Sequence, residues 1–279
     1  KSNVTILTQI VVYSGVVFVG CMVCHGEAYR LKPAPHSLTS FYLWIATGGA
    51  AGGFLVAVVA PLILRSYTEL HWGLGLLALL LLIIHWRERL GLMIDGKFRP
   101  IWPLTALAGL GLALGLFLVV RSTQHQAVYS TRNFYGALQI KDLKPEDPWF
   151  HAHRLMNGRI SHGLQFLDPA KAQMSTSYYH ELSGVGLAIK YMPTQINRHI
   201  GVVGLGVGTL ATYTRAGDRL RFYEIDPQVA HLAETRFSYL KEARGQVRVV
   251  LGDARLSLER EPVQHFDLLV LDAFSSDAI

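Results

Sequence analysis

The chain has 279 residues, 51% of them hydrophobic and 16% charged, with a mean hydropathy of +0.28. That balance excludes an ordinary soluble protein along the whole length and divides the chain into two parts of different character. The formal charge of +6 is just as uneven, because residues 1–121 hold nine Lys/Arg against four Asp/Glu while residues 122–279 hold seventeen against sixteen. The surplus cations fall in short loops between apolar segments, where lipid headgroups account for them, so the pI of about 9.3 requires no nucleic-acid partner.

Four segments are free of Lys, Arg, Asp and Glu and read as transmembrane helices over 1–121: residues 4–24, 38–64, 70–86 and 101–120. A bilayer core takes about 20 helical residues, so the third is short and the second is long enough to tilt or to bend at Pro61. Trp72, Trp86 and Trp102 stand near span ends, where indoles favour the interface. Gly48 with Gly52, Gly49 with Gly53 and Gly111 with Gly115 form small-xxx-small pairs, which predict seams of close helix contact. The lipid bilayer is therefore the first expected partner. Cys21-Met-Val-Cys24-His25 fits the C-x-x-C-H pattern of covalent haem attachment, but it ends an apolar segment, so two buried thiols are expected there and haem is not. The rest of the chain has no cysteine, which rules out disulfide stapling of that part.

From residue 127 the pattern becomes strand-like, with Tyr129, Phe134, Tyr135, Leu138 and Ile140 set among polar residues. Residues 153–162 predict a hairpin turning at Asn157-Gly158, and residues 122–175 as a whole predict a small antiparallel β domain. His151, His153 and His162 show no metal-site spacing, so no metal is expected. A helix is predicted over 177–191. Strands follow at 200–204, 220–225, 247–251 and 266–271, alternating with helices near 209–215 and 227–240. Continuous apolar strands alternating with helices predict a parallel sheet covered on both faces, so residues 176–279 read as a Rossmann-like α/β domain. The sequence starts at Lys1 and stops just beyond the fourth strand, which is expected to leave an open apolar edge. A C-terminally incomplete domain is expected, with further polypeptide, from a missing portion or another chain, pairing with that strand.

The first of these strands runs into Gly204-Leu-Gly206-Val-Gly208-Thr209, where glycine lets the backbone turn sharply and lie against a ligand. Glu224 ends the second strand 20 residues after Gly204, the spacing at which an acid accepts ribose hydroxyls. The third strand ends in Gly252-Asp253-Ala254, where a carboxylate meets an adenine amine, and the fourth in Asp272, followed by Ser275, Ser276 and Asp277. Four strand ends thus aim polar groups at one crevice, the usual ligand site of an open parallel sheet. The competing reading for short acids at such positions is helix capping. Asp226, before Pro227, reads as a cap.

The array Tyr178-Tyr179-His180-Glu181, the glycine turn, Glu224-Ile-Asp226, Gly252-Asp253-Ala254 and Leu271-Asp272 resembles spermidine synthase. The whole chain, including His25-Gly-Glu27 before the second span, looks like the bacterial membrane proteins that fuse apolar spans to a spermidine-synthase-like domain. The resemblance implies a methyltransferase-type sheet behind a small β domain. It also implies transfer of an aminopropyl group from decarboxylated S-adenosylmethionine, a co-substrate and not a tightly bound cofactor, to a small-molecule amine. By position, Gly204, Gly206, Gly208, Glu224, Asp253 and Ala254 hold the nucleoside, Tyr179 and His180 line the amine side, and Asp272 and Asp277 serve the chemistry. Three departures fall on the amine half: Val207 replaces an aspartate in the glycine loop, Ser275 replaces an aspartate after Asp272, and Ser161-His162 stand where a glutamine is expected. Basic residues near the span ends do not orient the chain. The inferred ligand is made in the cytoplasm, so the expectation is a multi-pass inner-membrane protein with its soluble part on that side. Two alternatives stay open: a methyltransferase using intact S-adenosylmethionine, and a nucleoside-binding or structural module without turnover.

Overall fold

The computed structural model describes residues 5–87, 93–94, 97–98, 107, 109–118, 121, 127–193 and 197–273. Two compact units result, one formed by residues 1–64 and 68–122 and the other by residues 65–67 and 123–279.

In the first unit, helix α1 (Ile6–Arg30) starts behind Thr5, whose hydroxyl accepts from the Thr8 amide. It continues past residue 24 to an ion pair between Arg30 and Glu27 (2.6 Å), so the Cys-x-x-Cys-His segment lies inside a helix and does not end one. Cys21 and Cys24 are free thiols exposed on its surface, contrary to the expected burial. Helix α2 (Leu38–Phe54) passes through a π-helical turn, Leu55–Val59, into α3 (Ala60–Ile63). The Ala60 amide donates to the Leu55 carbonyl, and this wider turn immediately precedes Pro61, which has no amide proton and crowds the carbonyl one turn back. The departure from regular α-helix thus falls in the turn before Pro61, where a tilt or bend was expected. Helices α4 (Glu69–Arg87) and α5 (Gly109–Leu118) follow, with a minimal antiparallel pair, β1 (Met93–Ile94) and β2 (Lys97–Phe98), between them.

Two helical stretches among the described residues, Ile10–Arg30 and Pro35–Ile63, are long and apolar enough to cross a membrane. Glu69–Ile84 and Gly109–Leu118 are shorter, so among the described residues two of the four expected spans meet that measure, and much of the predicted fourth (residues 101–106, 108, 119 and 120) lies outside them. The predicted glycine seams are also displaced. A Cβ on Gly48, Gly49, Gly52, Gly53, Gly111 or Gly115 would meet nothing, whereas one on Gly20 would lie 3.2 Å from Leu77 and one on Gly109 3.2 Å from Leu82. The close approaches therefore bring α1 and α5 onto α4.

The second unit opens with an antiparallel sheet of β3 (Ala127–Asn133), β4 (Gly136–Leu143), β5 (Ala152–Asn157) and β6 (Ile160–Phe166), paired in chain order. Asn157 faces Ile160, so Gly158 and Arg159 form the two-residue turn, with Gly158 at φ +56°. The parallel sheet holds β7 (His199–Val203), β8 (Arg219–Glu224), β9 (Gln246–Leu251) and β10 (Leu268–Leu271) in the order β10-β7-β8-β9. The chain winds outward from β7 to β9 and then crosses back to the far side, which puts the topological switch point between β7 and β10. As expected, β10 is an edge among the described residues.

Three helix expectations change. The segment 177–191 is broken: Ser177 sits at φ +58°, a single 3-10 turn covers Ser177–Tyr179, and α6 (Gly184–Tyr191) starts only where the Ser183 hydroxyl accepts from the Gly186 amide. The crossover after β7 is a 3-10 turn, Thr209–Tyr213, because the Thr212 and Thr214 hydroxyls donate to carbonyls three residues back (2.9 and 2.7 Å) and divert the backbone from α-helix. Helix α7 (Pro227–Arg236) stops short of residue 240 because Phe237 and Tyr239 turn into the core. Helix α8 (Ala254–Arg260) follows β9.

Two apolar clusters hold this unit. Ile200, Val202, Leu220 and Phe222 pack on Ile189 and Leu210. Leu138, Ile140 and Leu155 of the antiparallel sheet pack on Leu232 and Phe237, and Val207 of the glycine loop belongs to this second cluster. Its methyls fill the place where Gly163, at φ +139°, lacks a Cβ. The parts expected at 122–175 and 176–279 thus share the second cluster. Below the sheet, the wholly buried Arg198 and Asp218 form an ion pair of 2.5 Å, reinforced by the Arg198 and Arg215 amides donating to the same carboxylate.

Candidate functional site

A cavity of about 610 Å³ opens over the carboxyl ends of the parallel strands. Gly204 and Gly206 reach it from β7, Glu224 and Asp226 from β8, Asp253 and Ala254 from β9 and Asp272 from β10, while Phe134, Leu138, Asn157 and His162 close it from the antiparallel sheet. The glycine loop follows β7 and Asp272 follows β10, so the site straddles the switch point.

The loop is shaped by backbone requirements. Gly204 and Gly206 have φ of +98° and +56°; a Cβ on Gly204 would collide with the Asp272 carbonyl, and one on Gly206 would lie 2.6 Å from the His162 carbonyl. Gly208 does not line the cavity; it packs against Leu240 and starts the 3-10 turn, so its expected ligand role gives way to a packing one. Val207 points into the core, which explains an apolar residue where the resemblance expects an acid.

Glu224 is buried and its carboxylate bridges two turns: one oxygen accepts from the Leu205 amide (3.0 Å) and the other from the Asp226 amide (2.9 Å). Burial pushes this carboxyl above its ordinary range against the pull of those amides. Each oxygen keeps a further lone pair for a hydroxyl donor. Asp253 caps α8, as the competing reading has it, accepting from the Leu256 amide (2.9 Å), and it also lines the cavity. Asp226 caps α7 through Oδ1, as expected, and the same oxygen accepts from Asn133 Nδ2 (2.5 Å).

Tyr179 is buried, its phenol donates to Asp272 Oδ2, and its ring lies 4.4 Å from that of Tyr178. Asp272 is half-buried and its carboxyl is raised by burial, with the Tyr179 bond pulling the other way. His180 departs from expectation: it is exposed, off the cavity lining, and its Nδ1 accepts from the Leu182 amide (3.3 Å). Tyr178 takes the place at the cavity foreseen for it. Asp277, Ser275 and Ser276 lie outside the described residues.

Sequence reasoning gave no cavity role to Tyr178 or Asp226, the latter read as a cap, nor to Asn157, His162 and Phe134, which reach the cavity only through the packing of the two sheets. Asn157 Oδ1, His162 Nε2 and Asp226 Oδ2 are buried without a hydrogen-bond partner among the described residues, and all three residues line the cavity. Burying such an atom unpaired costs about 1–3 kcal/mol, which a polar ligand offsets. Burial also lowers the His162 pKa, so its imidazole is neutral near pH 7. Four carboxyl groups against the single guanidinium of Arg255, itself paired with Glu259, give the lining an acidic balance.

Among the solved structures that match is a probable spermidine synthase from Corynebacterium glutamicum, 18% identical over 54% of this chain and 53% of that one, with a TM-score of 0.43. The chain thus spans about half the length of that protein. No family model and no curated protein matches it.

Proposed function

We propose that the second unit binds decarboxylated S-adenosylmethionine and transfers its aminopropyl group to a small amine. The observation that carries this reading is the convergence of Glu224, Asp253 and Asp272, from the tips of three parallel strands, with the glycine loop on one acidic cavity. In this reading Glu224 holds the ribose hydroxyls through its remaining lone pairs, Asp253 and Ala254 meet the adenine, and Gly204 and Gly206 admit the nucleoside to the backbone. The acceptor nitrogen attacks the carbon next to sulfur, the C–N bond forms as the C–S bond breaks, and the sulfonium takes the electron pair to leave as a neutral thioether. The nitrogen then sheds a proton. Asp272, steadied by Tyr179, anchors the cationic reactants and receives that proton.

The acidic lining separates this from the methyltransferase reading. A decarboxylated ligand brings two cationic centres and no carboxylate, whereas the intact ligand brings a carboxylate into a lining whose described carboxyl groups outnumber its guanidinium four to one. In the same proposal, the two long apolar helices anchor the chain in the inner membrane with the second unit in the cytoplasm.

Calorimetry on the detergent-solubilised full chain with each ligand, followed by mass analysis with putrescine or spermidine, tests the reading. Tighter binding of the decarboxylated ligand and a product heavier by one aminopropyl group are expected. Preference for the intact ligand with methyl transfer, or binding without product, overturns the proposal.

A further inference from the structure

We propose that Asp142, His151 and His153 form a binding site for a divalent transition-metal ion of the zinc class, separate from the cavity and independent of the transferase reading. The β4–β5 register sets Asp142 directly opposite His153, and His151 lies two residues earlier, on the same face by the strand period. One ligand atom from each of the three lies within 4.8 Å of the others. Both imidazoles present the same nitrogen to the same oxygen: His151 Nε2 is 2.6 Å and His153 Nε2 3.7 Å from Asp142 Oδ1, with the rings nearly perpendicular at 88°.

A hydrogen bond accounts for His151 but not for His153, whose nitrogen is too far to donate. A cation accounts for both. Ligands about 2.1 Å from a tetrahedral ion stand roughly 3.4 Å apart, so the longer separation already has that size and the shorter one needs to open by less than 1 Å, within reach of side-chain rotation. Two nitrogens and one oxygen suit zinc and its neighbours and leave a fourth position for water. All three side chains are 21–31% exposed, which gives an ion access while the strands hold the ligands. At the other end of the same strands, Leu138 and Asn157 face the transferase cavity, four register steps away, so this is a second location. The charged group that acts on His153 from the neighbouring helix is Arg236, whose guanidinium opposes a cation and points to modest affinity.

The test uses the full chain in detergent, without a histidine tag and in a Cys21→Ser/Cys24→Ser background, so that the thiols of α1 do not contribute. Zinc titrated by calorimetry is expected to bind one equivalent, and cobalt to give visible d–d absorption of tetrahedral intensity. Asp142→Asn and His153→Ala should each weaken zinc at least tenfold. His151→Gln/His153→Gln should abolish the cobalt band and the metal-induced rise in Tm while leaving the metal-free Tm near the parent value. An unchanged stoichiometry and affinity in the double variant, or no cobalt band in the parent, overturns the site. If the double variant fails to fold, Asp142→Asn alone decides, and undiminished zinc affinity there is equally fatal.

Discussion

Tyr179 donates its phenol to Asp272 across 93 residues of sequence, joining the short 3-10 turn before α6 to the tip of the edge strand. The bond fixes the only strand-tip carboxylate that the resemblance places beside the reacting atoms. Tyr179→Phe removes the donor while keeping the ring against Tyr178. A hydrogen bond to a charged acceptor is worth about 1.5–3 kcal/mol, so transfer is expected to fall roughly ten- to a hundredfold with the fold intact. A rate within twofold of the parent shows that the pair does not serve the reaction.

The pH dependence follows from the same carboxyl. Burial raises the Asp272 pKa above the ordinary aspartate value near 3.9, so the group ionises later than a free aspartate as pH rises. Affinity for a cationic ligand should therefore drop as pH falls through that raised value. In Tyr179→Phe the drop should move to higher pH, because the lost bond favoured the ionised form. Calorimetry across pH 4–8 (roughly the range where carboxyls shifted by burial titrate) reads both, and Asp272→Asn should flatten the profile.

Glu224 is expected to have two separable roles. Glu224→Gln keeps one oxygen to accept from a loop amide but loses the charge and one acceptor facing the ribose, so ligand affinity should weaken at least tenfold, about 1.4 kcal/mol. Glu224→Ala frees both the Leu205 and Asp226 amides and should lower Tm as well. Equal affinity of the Gln variant and the parent, measured by thermal shift with ligand, removes the ribose assignment.

The buried Arg198–Asp218 pair makes a stability prediction. Asp218→Asn leaves the guanidinium buried without its counter-charge and should cost about 3–5 kcal/mol, read as a lower denaturation midpoint. Burial alone raises an acid, yet the Arg198 guanidinium and the two amides win and hold the Asp218 pKa below its usual value. A depressed folded-state pKa contributes stability that is present above the unfolded value, near 3.9, and is lost as pH falls through the folded one. Glu224 and Asp272 act with the opposite sign, since their raised folded-state values make the ligand-free protein less stable as pH rises.

The strands and the strand-tip acids were legible because each is written locally. A continuous apolar run, a glycine turn and an acid at a fixed spacing need no distant partner to be recognised, and Glu224, Asp253 and Asp272 meet at one cavity as the spacing implies. The helices after Ser177 and Gly208 were misread because threonine hydroxyls and a left-handed serine redirect the chain, effects that hydropathy does not register. His180 carried the motif but faces outward, while Asn157, His162 and Phe134 reach the cavity only through contact between two sheets. The Asp142–His153 pairing was invisible for the same reason: strand register, not sequence spacing, brings them together.

The seat of Val207 against Gly163 limits how this site can change. A new acid at residue 207 would sit among Leu138, Leu155 and Leu232, where burial favours its neutral form, so that single substitution destabilises the joint without supplying a charged grip for an ammonium. Nor is residue 176 a place to cut, since a fragment starting there would expose the apolar surface of Leu232 and Phe237 that the antiparallel sheet covers. Specificity is left to drift along the rim, at the exposed Tyr178 and Phe134, where side chains can be exchanged without reopening the joint between the sheets.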